Sequence, residues 1–192
     1  IASCLVGSEM CIRDSFGWMP RLDVLVLEKV LAHLRGHDQV LALNLSAATL
    51  ADPKALQRIF ELLGQNAALG PRLVFEIGEE QLPEQAALEQ LTRRLHGLGF
   101  GLALQRFGGR FSMIGNLAHL GLAYLKIDGS YIRNIDHEQH KRLFIEAIQR
   151  AAHSIDLPLI AERVETEGER LVLLEMGVGG IQAVSYTHLT LP

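Results

Sequence analysis

Two short apolar runs, Phe100–Leu104 and Leu122–Leu125, each stop at polar residues, and this repeated ending constrains the chain more than any other feature. The first run is followed by Gln105 and Arg106, the second by Lys126 and Asp128. Between them Met113, Ile114, Leu117 and Leu120 fall on the one-sided spacing of a helix over Ser112–Leu120. The unit is strand, helix, strand, with Gly108-Gly109 breaking the chain just after the first strand. Strands joined by a helical crossover run parallel. Gln105, Arg106, Lys126 and Asp128 are therefore expected at one edge of a parallel sheet, where ligands bind in such folds.

The same alternation extends in both directions. Pro20 and the stripe Leu22, Val26, Val30 and Leu34, widened by Leu27 and Leu31, predict a helix that Gly36 ends. Val40–Leu45 reads as a strand interrupted only by Asn44, and Asp52-Pro53 opens a helix through Leu69, with Asp as N-cap and Pro in the first turn. Leu73–Ile77 is a strand carrying Glu76, and Glu84–Leu98 is helical in period. Beyond Asp128 come a helix over Glu138–Ser154, with Leu143, Ala147, Ile148 and Ala151 on its apolar side, and a strand over Leu157–Ala161 closed by Glu162. A helix over Thr166–Met176 follows, and then a last short strand within Val178–Val184 that carries Gln182.

Six strands spaced by roughly 20 to 35 residues make an α/β domain with a parallel sheet. An open doubly wound sheet and a (β/α)8 barrel both fit. No GxGxxG follows the first strand, so a dinucleotide fold has little support. Each strand ends in a polar residue that can face a common centre, namely Asn44, Glu76, Gln105, Lys126, Glu162 and Gln182, which favours a barrel mouth. A complete barrel takes about 250 residues, so this chain is expected to be a TIM-like barrel lacking its first strand or two.

With 192 residues, 48% hydrophobic and 21% charged, the chain fits one globular domain. A formal net charge of −4 gives no basic footprint for nucleic acid, and no run of eighteen apolar residues can cross a membrane. Residues 1–15 and 185–192 stand outside the pattern and are expected to be appended, non-native tails, leaving 16–184 as the domain. Both cysteines, Cys4 and Cys11, lie in the first tail; a cysteine-free domain suits a reducing cytoplasm.

Asn and Glu oxygens on adjacent strand ends are the ligands that Mg²⁺ uses, and Lys126 beside them can bind phosphate or polarise a water. Singly, a polar strand end more often anchors a loop or caps a helix; six together are harder to read that way. His137 and His140 sit three apart at a polar helix start and, like Lys141-Arg142, read as a solvated face.

Five stretches, NLSAATLADP (Asn44–Pro53), FEIGEE (Phe75–Glu80), QRFGGRFS (Gln105–Ser112), YLKIDGSYIR (Tyr124–Arg133) and AERVET (Ala161–Thr166), occur in the order and spacing of EAL domains. The chain resembles this family over essentially all of 16–184. The resemblance implies a barrel phosphodiesterase fold that cuts cyclic di-GMP to linear pGpG with two Mg²⁺ or Mn²⁺ ions. It places Asn44, Glu76 and Glu162 at metal-binding positions, Lys126 near the attacking water, and Glu79 where a glutamate steadies the loop after the strand that carries Asp-Asp in active members. Asp128, Glu165 and Gln182 match further site positions, and Arg133 a ligand contact. The Glu-Ala-Leu strand that names the family is expected before Phe16 and is missing.

Active members carry Asp-Asp where this chain has Gln105-Arg106, a change of about three charge units in a site that depends on negative ligands. Arg163 stands where active members have Gly. Together with FGWMPRLDVLVLE and GGRFSMIGNL, these departures resemble the degenerate EAL domain of LapD-type receptors in biofilm and adhesin signalling. The expectation is an inactive cyclic di-GMP receptor module with ligand contacts from Asn44, Glu76, Arg106, Asp128, Arg133, Glu162, Glu165 and Gln182. Lys126 and Glu79 are vestigial catalytic groups, and Asn44, Glu76, Gln105, Arg106 and Glu162 vestigial metal positions. No metal cofactor is expected; Mg²⁺ or Mn²⁺ belongs to the alternative of an active phosphodiesterase, and a dimerisation scaffold without ligand is the second alternative. Besides cyclic di-GMP the resemblance allows a homodimer, without nucleic acid or membrane contact by this segment, in the cytoplasmic part of an inner-membrane protein.

Overall fold

The computed structural model describes residues Ala2–Ser3 and 17–183. The expected tails, apart from Ala2–Ser3, lie outside the described residues, as do both cysteines, Phe16 and Val184. The chain divides into two compact units, one of residues up to Leu104 with Leu120–Ala123, the other of Gln105–His119 with residues from Tyr124 on.

In the first unit, helix α1 (Met19–Gly36) buries Leu27, Val30, Leu31 and Leu34 of the predicted stripe, while Leu22 and Val26 are half-buried, and Pro20 lies in its first turn. Its buried face also carries Asp23, whose Oδ2 accepts from Ser46 N–H (3.0 Å), Ser46 Oγ (2.8 Å) and Thr49 Oγ1 (2.5 Å). Ser46 in turn caps the one-turn helix α2 (Ala47–Leu50), accepting from Thr49 N–H at 3.2 Å. A carboxylate inside the core is tolerated because hydrogen bonds satisfy it.

Strands β2 (Leu41–Asn44) and β3 (Leu73–Gly78) pair in parallel, from Leu41 opposite Leu73 to Asn44 opposite Glu76. Two residues, β1 (Ala2–Ser3), pair in parallel with Leu41–Ala42 where the sequence pattern predicts no strand. Helix α3 (Pro53–Gly64) starts as predicted, with the Asp52 carboxylate accepting from the N–H groups of Lys54 (2.9 Å) and Ala55 (3.3 Å). It stops five residues short of Leu69, because the Asn66 side chain donates to the Leu62 carbonyl at 2.8 Å and so takes over a last-turn acceptor. Helix α4 (Gln85–Gly97) follows, burying Leu88, Leu91 and Leu95.

Strand β4 (Gly101–Phe107) begins in the first unit and ends in the second. In the second unit β5 (Leu125–Ile127) pairs in parallel with β6 (Leu159–Val164), and β6 with β7 (Gly180–Ala183). The predicted helix over Ser112–Leu120 shrinks to a 3₁₀ turn and the single turn α5 (Ile114–Leu117), since Gly115 and Asn116 are poor helix formers. A one-turn helix α6 (Gly129–Ile132), unforeseen in the sequence, follows β5 directly. Helix α7 (Gln139–His153) buries Ile145, Ile148 and Ala152; of the predicted stripe, Leu143 is 59% exposed and Ala147 exposed as well. Helix α8 (Glu167–Glu175) opens on a capping box made by Thr166 and Glu169.

Two strands run beyond their predicted ends. β4 continues past Leu104 to Phe107 and β6 past Ala161 to Val164, while β5 begins three residues after Leu122. An apolar run marks only where both faces of a strand are buried. The last residues of these strands keep their backbone pairing, as in the bond from Asp128 N–H to the Phe107 carbonyl at 3.0 Å, while alternate side chains turn polar.

Candidate functional site

In parallel pairing, residues opposite one another project to the same face of the sheet. In the first unit this puts Asn44 and Glu76 side by side at the carboxyl ends of β2 and β3, with the Leu45 N–H donating to the Glu76 carbonyl at 2.9 Å to fix the pair. Glu76 is 0% exposed and Asn44 half-buried. Glu79, also buried, lies in the 3₁₀ turn Glu79–Gln81 that follows β3.

The second unit gathers more of the predicted residues. Lys126 is opposite Ile160, and Glu162 is opposite Gln182, so all four project from one face of β5, β6 and β7. Lys126 Nζ lies 3.9 Å from Glu162 Oε1, with side chains only 3% and 13% exposed, and 5.9 Å above the Tyr124 ring. Opposite charges at that burial hold one another in place, since either alone would be costly to bury.

Beside this pair stand two arginines in backbone conformations unusual for strands. Arg106, in β4, has φ 54°, and Arg163, in β6, has φ 56°. The register of β6 with β7 shifts between Glu162 and Val164, so Arg163 sits on a bulge. Among the described residues the other two non-glycine residues with positive φ are Asn134 and Asp156, types that accept this region readily. Both arginines are exposed, and Gln105 next to Arg106 is half-buried.

Asp128 joins these elements. Its N–H is bonded to Phe107 of β4, and its carboxylate caps α6, accepting from Ser130 N–H at 2.8 Å. Burial pushes this carboxyl up, but the hydrogen bonds from Ser130, followed by the Arg163 and Arg106 charges, hold it below the ordinary Asp value. A β-carbon at Gly129 would lie 2.8 Å from both Cβ and Cδ of Arg163, so the arginine stem rests on that glycine. Gly108 likewise leaves no room for a side chain against the Tyr131 ring, which packs 4.7 Å from Phe144.

Arg133 and Glu165 belong to a different arrangement, centred on a residue the sequence reading did not single out. Glu169 is 1% exposed and accepts backbone N–H bonds from Asn134 (2.8 Å), Glu165 (2.8 Å) and Thr166 (3.1 Å). Burial raises its pKa, but those three bonds and the Arg133 charge outweigh burial and hold it below the usual Glu value. Glu169 thus ties the loop after α6 to the loop after β6. The side chains of Arg133 and Glu165, beside that brace, are both exposed. Thr166-x-x-Glu169 ahead of an apolar run is a capping-box signature, and it was the signal available in the sequence.

The EAL domain family model matches residues 11–182, and the chain belongs to that family. An uncharacterized signaling protein of Caulobacter vibrioides is 34% identical over 135 residues, 69% of this chain and 17% of the relative. The bifunctional diguanylate cyclase/cyclic di-GMP phosphodiesterase MucR of Pseudomonas aeruginosa is 25% identical over 92% of this chain and 27% of its own length. The solved PaMucR phosphodiesterase, a c-di-GMP complex, superposes with a TM-score of 0.80 at 25% identity, covering 91% of this chain and 73% of that one. The S helix–GGDEF–EAL part of Vibrio cholerae LapD, in its apo form, superposes with a TM-score of 0.78 at 20% identity, covering 85% and 41%. The fold class is thus the α/β, EAL-type barrel fold expected from the sequence. The chain spans 17% to 27% of the length of curated relatives such as these. Among the described residues no helix is long and apolar enough to cross a membrane.

Proposed function

We propose that this EAL-family chain is a cyclic di-GMP receptor module that binds its ligand without hydrolysing it, the cytoplasmic part of a membrane-anchored signalling protein of LapD type. The observation that carries the reading is the charge at the strand ends of the second unit. Lys126, Arg106 and Arg163 stand there with Asp128 and Glu162. Glu162 already faces Lys126 at 3.9 Å, and Asp128 already caps α6.

Mg²⁺ or Mn²⁺ would supply an activated water and charge neutralisation at a phosphodiester. A pair of such ions needs several anionic oxygen ligands, and this donor set does not fit them. It suits the ligand's own phosphates instead, because a guanidinium presents a planar fork that matches their oxygens. Arg106 is the residue whose substitution for a carboxylate turns a metal position into a phosphate position. The reading draws its ligand from the family and from the PaMucR complex with c-di-GMP.

Titration of the protein with cyclic di-GMP in chelator and again in Mg²⁺, with the products analysed, is the test. Binding in chelator with no pGpG formed in either condition is the expected result. Metal-dependent pGpG production at a rate typical of the family would establish the phosphodiesterase instead, for which the retained Lys126, Glu162, Asn44 and Glu76 would be the working parts. Absence of binding in both conditions would leave a scaffold.

A further inference from the structure

We propose that Arg106 and Arg163 act together as a two-guanidinium clamp for one phosphodiester group, with the Asp128-Gly129 turn as the fixed wall between them. This inference rests on the cyclic di-GMP reading and adds a role for Arg163, which the family resemblance records only as a departure.

The placement follows from backbone geometry. Asp128 N–H donates to the Phe107 carbonyl at 3.0 Å, so Arg106 immediately precedes the point where β4 meets the turn after β5. On the other flank the Arg163 stem covers Gly129, whose missing β-carbon would fall 2.8 Å from Arg163 Cβ and 3.1 Å from its Cγ. One arginine therefore stands on each side of the same turn.

Both arginines hold the left-handed region, at φ 54° and 56°, which disfavours any side chain with a β-carbon. Neither recovers that cost by burial, since both are exposed. Among the described residues neither guanidinium has a hydrogen-bond or ion-pair partner, so the five N–H donors of each remain available. A strained backbone that core packing does not require points to a role for the side chain it carries. The chemistry that satisfies two such forks around one wall is an anion with two equivalent oxygens, and a phosphodiester carries one charge over two non-bridging oxygens.

The experiment compares the wild-type protein with Arg163→Gly and Arg163→Lys, each titrated with cyclic di-GMP in chelator and each melted thermally. Arg163→Gly should lose roughly tenfold in affinity while its melting temperature rises, because glycine adopts the left-handed conformation freely. Arg163→Lys, which keeps the charge but not the planar fork, should fall between the two in affinity. A side chain that merely shapes the turn would leave affinity unchanged or lower affinity and stability together, and either outcome overturns the clamp. If wild type fails to bind in chelator, the receptor reading falls and the clamp with it. If wild type binds and Arg163→Gly binds equally well, only the clamp falls.

Discussion

The contact between Arg163 and Gly129 makes the backbone strain in β6 measurable apart from any ligand. Holding a side chain in the left-handed region costs roughly 1 to 2 kcal/mol. Arg163→Gly removes that cost but loosens the unfolded chain by about 0.4 to 1 kcal/mol. An exposed guanidinium contributes little burial, so the net expectation is a gain of roughly 0.5 to 1 kcal/mol, a melting-temperature rise of about 1 to 4 °C for a domain of this size. Gly129→Ala should behave in the opposite way. Gly129 is not among the positive-φ glycines, and it opens α6, so alanine suits its backbone. The added carbon, however, would sit 2.8 Å from Arg163 Cβ, a rigid atom close to the main chain, which costs about 1 to 3 kcal/mol as overpacking. With Arg163→Gly in place that contact is gone, and Gly129→Ala should become neutral or mildly stabilising. Urea melts of the four proteins give the coupling directly, expected to be about 1 to 3 kcal/mol. Additivity within about 0.5 kcal/mol would show that the two residues do not press on one another and that the strain assigned to Arg163 is misplaced.

Glu169→Gln should destabilise the protein by on the order of 2 to 3 kcal/mol, because one carboxylate receives three backbone N–H groups. Since the folded-state pKa of Glu169 is lowered, its contribution is complete above the unfolded value of about 4.3 and is lost as pH falls through the folded value. The variant's stability, followed by urea melts from pH 7 to pH 3, should therefore decline less steeply in acid than that of wild type; parallel curves would refute the brace. Asp23→Ala should cost about 2 to 3 kcal/mol, as it strands the Ser46 N–H and one of the Ser46 and Thr49 hydroxyls, which then have only each other in the core, and a chemical melt within 0.5 kcal/mol of wild type would sink that account. Arg106→Ala should weaken cyclic di-GMP binding in chelator roughly tenfold or more, with Arg106→Asp weaker still; equal affinities for wild type and Arg106→Ala by calorimetry would leave Arg106 as a plug of an old metal position.

The elements legible in the sequence were those whose signal is local. The Pro20 start, the Asp52 cap and the apolar stripe Leu27, Val30, Leu31 and Leu34 each follow from nearest neighbours along a helix, and each appears in the structure. The strand ends were misjudged by up to three residues, because apolarity reports burial and not hydrogen bonding: Gln105, Arg106, Glu162 and Arg163 lie within strands although they are polar. Helix α6 escaped notice because a single turn has no periodicity to read; its only marker was Asp128, whose carboxylate both caps it and stands at the polar edge. Periodicity alone puts Leu143 on the inner face of α7, because no local cue shows that Ile145, Ile148 and Ala152 define that face instead.

For the site, the pairing of residue types was readable and the backbone was not. Family spacing indicated that Arg163 replaces a glycine, which could be taken as one more lost feature of an enzyme. The φ of 56° gives that replacement a physical meaning, since the position asks for a residue without a β-carbon and receives the largest cation available. Arg106, which stands where active members carry Asp, a type that tolerates the left-handed region, likewise has φ 54°. Two independent strand ends therefore bear the same unfavourable pairing of conformation and side chain, on either side of one turn. Simple erosion of an active site predicts no such match: loss of metal ligands would be served as well by small or neutral residues, at no backbone cost. With Lys126 3.9 Å from Glu162, the two arginines share Asp128, whose carboxyl both of their charges help to hold below its ordinary value. Under the receptor reading, those two guanidiniums are the charges that the phosphates of cyclic di-GMP would meet.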